Sequence, residues 1–101
     1  MPIGAFINVI PNAVFVVIHA VALIIGAYFA RRMFATGATD FGRGFVLYAL
    51  AEVSYLTYHF DWTTFLFAHT ISEVLDLLAV ICFVVGIGQL ALAASGTGGR
   101  R

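Results

Sequence analysis

The chain has 101 residues, no formal net charge at pH 7, 62% hydrophobic residues and only 10% charged ones. Soluble domains carry roughly 25% charged residues, so too few are present here to wet the surface of a monomer in water. The five cations are all Arg, at Arg31, Arg32, Arg43, Arg100 and Arg101. They form no basic face, which excludes nucleic acid as a partner.

The first apolar run, from Ile3 to Phe34, holds no Asp, Glu, Lys or Arg before Arg31. About 20 apolar residues cross the hydrocarbon core of a bilayer, so this run predicts a first membrane span over residues 3–34. Pro11 is expected either to start its regular helix or to kink it. A signal peptide places positive charge ahead of its apolar stretch. Here "MPIGAFINVI" is uncharged and the Arg pair follows, the order expected of a retained anchor. "RRMFATGATD" breaks the pattern, and Asp40 is placed to cap a second, shorter span over residues 41–59. In the "FDW" turn, Asp61 is expected to cap a third span over residues 62–94. Cys82, deep in that span, is the one cysteine; it excludes a disulfide framework and reads as a small hydrophobe. "SGTGGRR" reads as a flexible tail over residues 96–101 behind a single domain spanning 1–95.

The expected fold is therefore all-α: an integral membrane protein of three transmembrane helices in an up-down-up bundle. Positively charged residues near span ends stay cytoplasmic. With three spans, the loop carrying Arg31, Arg32 and Arg43 and the tail carrying Arg100 and Arg101 fall on the same side. That predicts an outer N-terminus, a cytoplasmic C-terminus and, in a bacterium or archaeon, location in the cytoplasmic (inner) membrane.

Residues three or four apart share a helix face. In the first span Asn8, Asn12, His19, Ala22, Gly26 and Ala30 make one polar or small stripe. Tyr48, Glu52, Tyr55 and His59 do so in the second span, and His69, Glu73 and Asp76 in the third. An ionisable group in the bilayer costs a few kcal/mol or more unless it is paired or hydrated, about 3 kcal/mol on insertion scales. The stripes should therefore face one another or a neighbouring protein. At 1.5 Å per residue, His19 lies about 18 Å above Arg31, Glu52 about 18 Å above Asp40, and His69 about 12 Å below the outer edge. His19, Glu52 and His69 are thus expected in one layer, with Tyr48, Glu73 and Asp76 nearer the cytoplasm and Asn12 and His59 at the outer rim.

Three activities suit such an interior. His19, His69 and Glu52 could hold a transition metal, or the two His could ligate a haem or a chlorin pigment. His59, Glu52, Glu73, Asp76, Tyr48 and Tyr55 descend as a proton relay would, forming a conduit for protons or ions within an oligomer. Alternatively, the polar groups only specify helix packing in an accessory or scaffold subunit. All three readings share one set of partners: the lipid bilayer, and further copies of the chain or a larger membrane complex. Gly42, Gly44, Gly86 and Gly88 mark places where helices could approach closely, although the spacing is not GxxxG. No phosphate-binding loop, nucleophile elbow, Ser-His-Asp order or zinc-ligand pattern is present, which disfavours an enzyme of the soluble hydrolase type.

Overall fold

The computed structural model describes residues 3–99, without the side chains of Phe6, Asn8 and residues 96–99. Arg100, Arg101 and the Asn8 side chain, which carry part of the sequence argument, thus lie outside the described residues. A short 3-10 helix, Ala5–Val9, precedes three α-helices: α1, Asn12–Ala35; α2, Thr39–His59; and α3, Phe65–Gly99. No strand occurs among the described residues. The expected first span is thus divided. Pro11 (φ −59°, ψ 144°) starts the α-helix rather than kinking it, and its carbonyl accepts the Val14 amide at 3.0 Å. At the other end α3 is longer than expected, taking in residues 95–99.

Both interhelical turns close by the same motif. After α1, the Ala38 amide reaches the Met33 carbonyl at 2.9 Å and the Gly37 amide reaches Phe34 at 3.1 Å. This pair of bonds satisfies the last carbonyls of a helix when the intervening residue is left-handed, as Gly37 is at φ +82°. After α2, Trp62 bonds Thr57 at 2.9 Å and Asp61 bonds Tyr58 at 3.0 Å, with Asp61 at φ +63°. Asp61 therefore ends α2 instead of capping α3, correcting the sequence expectation. A short polar side chain tolerates that conformation better than most, and tertiary closure selects it. Thr64 takes the position before α3, its carbonyl accepting the Ala68 amide at 3.0 Å. Asp40 does not cap α2 either. It lies in the first turn, behind Ala38, and pairs with Arg43 at 3.5 Å.

The helices run antiparallel to their neighbours, and α2 is in the middle. α1 and α3 each pack along α2, whereas among the described residues no Cα of α1 comes within 8 Å of one in α3. The molecule is flattened, 60 × 30 × 20 Å. This corrects the expected bundle about a common axis to an open layer. The reason is visible on α2, which has small residues on two sides. Gly26 of α1 fits against Tyr48 and Ala49; on the other side Gly44 receives the Phe83 ring and Gly86 receives Phe41.

Burial is inverted relative to a water-soluble domain. Every buried residue among those described is Gly, Ala or Ser, with the sole exception of Glu52. The large apolar side chains point out: Ile24, Leu66, Leu77, Val84 and Leu92 are each more than half exposed. Small residues inside and bulky apolar residues outside are what helix association in lipid favours, because lipid tails offer no hydrophobic penalty to escape. Two helical stretches, Asn12–Ala35 and Phe65–Ser95, are long and apolar enough to cross a membrane. α2 does not meet the same measure, so the measure supports two of the three expected spans. It carries Asp40, Arg43, Glu52, three Tyr and His59, and it is flanked on both sides by the apolar helices.

Three outcomes follow for stability in detergent, measured by denaturant unfolding. A Cβ at Gly44 would stand 2.7 Å from Phe83, whereas nothing lies within 4 Å of Gly88. Gly44→Leu should lose about 1–3 kcal/mol by overpacking, and Gly88→Leu should unfold like the parent. Asp61→Gly should gain about 1 kcal/mol by relieving the left-handed backbone.

Candidate functional site

The side chains that the sequence places in one layer do meet, but on an open face. His19 of α1 and Glu52 of α2, 33 residues apart, bond through Nδ1 and Oε2 at 2.5 Å. Glu52 is 9% exposed, and no other buried residue among those described carries an ionisable side chain. One proton lies between the two atoms in either charge state, as imidazole N–H donating to carboxylate or as carboxyl O–H donating to imidazole.

Aromatic packing holds the histidine. The His19 ring stacks on Tyr55 with centroids 4.8 Å apart and on His59 at 5.2 Å. His59 is itself fixed from α1. Asn12 Nδ2 donates to the His59 carbonyl at 2.9 Å, and His59 Nδ1 meets Asn12 Oδ1 at 2.7 Å. Because Asn12 uses its amide nitrogen on the carbonyl, its oxygen can only accept, so His59 Nδ1 donates and its Nε2 remains an acceptor. Phe15 stacks on the far side of His59 at 5.5 Å. Asn12 with His59 and His19 with Glu52 thus form a polar line along the α1–α2 seam, two hydrogen-bonded pairs joined by the stacking of the two imidazoles.

The α3 side chains are arranged differently. His69 stacks on Phe65 at 5.2 Å and lies 6.5 Å from Tyr55. Tyr55 is therefore a ring neighbour of both His19 and His69. Among the described residues, no group of three or more His, Cys, Asp or Glu is arranged to hold a metal ion. His19 and Glu52 come together as expected; among the described residues His69 is not grouped with them as a third ligand. Glu73 is exposed and Asp76 partly exposed, at the edge of the cleft that α1 and α3 leave above α2. Both are within electrostatic reach of Tyr55, and Asp76 also of Tyr48.

Two serines, unremarked in the sequence, lock α2 to α3. Ser72 Oγ, fully buried, donates to the Ala51 carbonyl at 2.9 Å. Ser54 Oγ donates to the Ala68 carbonyl at 3.1 Å. Their periodicity with the buried alanines was the signal that could have found them. Below Tyr48 the cleft turns apolar, walled by Phe29, Phe45 and Phe83, with Phe45 stacked on Phe29 at 5.5 Å and edge-on to Phe83 at 5.0 Å.

No family model, curated protein or solved structure matches the chain, and the reading of function rests on its own geometry.

Replacing Glu52 separates its two roles. Glu52→Leu leaves the His19 nitrogen without its partner and should lose about 1–3 kcal/mol of stability. Glu52→Gln retains an acceptor for that nitrogen and should lose less, as chemical denaturation in detergent would read. Ser72→Ala should lose about 0.6 kcal/mol, the average for an interhelical hydrogen bond in a membrane protein.

Proposed function

We propose that the protein is a three-span integral membrane subunit that takes up protons from its outer side through the line Asn12–His59–His19–Glu52. The carrying observation is the His19–Glu52 pair: an acid buried among glycines and alanines, bonded to a histidine on another helix. Ionisable groups at such positions mark proton relays in membrane proteins. Beyond Glu52 the acids Glu73 and Asp76 lie within reach of Tyr55, and then Phe29, Phe45 and Phe83 close the inner half. The polar line therefore supports a half-path open on one side and disfavours a through-pore in one chain. It fits an accessory subunit whose open face is completed by further copies or by a larger membrane complex.

The orientation belongs to the same proposal. Arg31, Arg32 and Arg43 gather at the α1–α2 turn, and α3 runs back toward that end, with Gly86 beside Phe41. The positive-inside rule then sets this end in the cytoplasm, with the N-terminus and the Trp62 turn outside. α2 crosses despite its polar content because α1 and α3 cover two of its sides. In a Cys82→Ser background, Thr63→Cys should react with an impermeant maleimide from the outside of intact cells and Thr36→Cys only after lysis; the reverse pattern would invert the topology.

The proton path is tested by infrared spectroscopy of sealed vesicles with the protein in one orientation. A carboxyl band absent in Glu52→Gln should respond to pH in the outer compartment and be slower or silent to pH in the inner one. A band that follows the inner compartment alone, or neither, refutes the path.

A second reading has one observation in its favour. His19 commits Nδ1 to a carboxylate, as metal-binding histidines commonly do, leaving Nε2 for a metal or cofactor that a neighbouring subunit would help to ligate. Metal analysis and an absorption spectrum of the purified assembly, with His19→Ala alongside, distinguish it.

A further inference from the structure

The inner half of the open cleft contains a cavity of about 330 Å³ lined by Ile25, Phe29, Phe45, Tyr48 and Phe83. That volume lies at the lower end of ligand pockets, roughly 300–1,000 Å³. Its walls come from all three helices, and it exists because α1 and α3 do not touch. Phe45 on α2 is the floor, with Phe29 and Phe83 rising on either side. Tyr48 forms the outer end and is within electrostatic reach of Asp76 and Glu52. Asp76 lies seven residues before Phe83, hence on the same face of α3 and about 10 Å further out.

We infer that this cavity binds a small lipophilic organic cation of the arylalkylammonium type, with its apolar body among Phe29, Phe45 and Phe83 and its charged end toward Asp76. Three features select a cation over a neutral apolar molecule. Asp76 forms no ion pair or hydrogen bond among the described residues, whereas Glu52 is bonded to His19 and Asp40 to Arg43. Among the described residues no Lys or Arg supplies the missing charge there: the chain has no Lys, and Arg31, Arg32 and Arg43 are at the α1–α2 turn. Aromatic faces attract cations, most strongly where water is excluded, and four of the five lining residues are aromatic. A carboxylate beyond the Tyr48 end of such rings, approached laterally from the lipid, complements a positive group on a greasy body and leaves an anion repelled. The inference requires the membrane-spanning part of the proposed function but not its proton path.

The test is equilibrium dialysis of radiolabelled (4-phenylbutyl)trimethylammonium, long enough to reach from the rings toward Asp76, against the purified full chain in a neutral detergent, with empty micelles as blank. The cation should be retained above the blank, and its carbon isostere (5,5-dimethylhexyl)benzene should compete poorly. Asp76→Asn should weaken retention about tenfold or more, the scale of a desolvated charge contact, and Phe83→Leu by a smaller factor through loss of a ring face. Circular dichroism melting verifies that each variant folds. If Asp76→Asn misfolds, Phe83→Leu and the isostere competition still decide. Equal competition by the neutral isostere, or undiminished retention by folded Asp76→Asn, overturns the inference. Retention of the cation by a protein whose Glu52 band ignores external pH would refute the proton path alone.

Discussion

The arrangement depends on how closely α2 approaches its two neighbours. Gly26, Gly44 and Gly86 each leave room where a Cβ would stand 2.7–3.0 Å from an aromatic ring, and Ala51, Ala68 and Ser72 are fully buried between α2 and α3. In lipid, apolar surface gains little by leaving one hydrocarbon environment for another, so association comes from close van der Waals packing and interhelical hydrogen bonds. Small residues supply the first; the Ser72–Ala51 and Ser54–Ala68 bonds supply the second. Because both seams lie on α2, the outer helices are separated by a whole helix, and the face above it remains a cleft. The polar line and the aromatic cavity are both consequences of that separation.

Glu52 stands out within this scheme because it is large, ionisable and buried in a seam otherwise made of the smallest residues. Removing a carboxylate from water without a partner is expensive enough that the group neutralises instead. His19 resolves this locally by sharing a proton, and Tyr55 and His59 hold its ring from both sides. The pair therefore holds α1 on α2.

Much of this was legible in the sequence because depth along a helix is simple arithmetic. Counting 1.5 Å per residue from the turns put His19 and Glu52 at one level, and they bond. The same count put His69 in that layer, and it neighbours the Tyr55 ring. Periodicity gives the face of each helix but not which helices adjoin, so the bundle expected from three polar stripes became a layer. For the same reason the exposure of Glu73 was not foreseen: in a closed bundle its stripe would point inward. Asp40 and Asp61 were misassigned for a different reason. An acid just before an apolar run fits a helix N-cap, but the turn closures at Gly37 and Asp61 set the boundaries through backbone bonds that composition does not display. Gly42, Gly44 and Gly86 were marked correctly, while Gly88, with the same local context, touches nothing within 4 Å.

The two halves of the cleft differ in a way that constrains any mechanism. One half is lined by polar groups, from Asn12 and His59 to His19 and Glu52; the other is aromatic, walled by Phe29, Phe45 and Phe83. Tyr48 and Asp76 stand at the boundary. The separation of α1 from α3 by α2 places both halves on one open face.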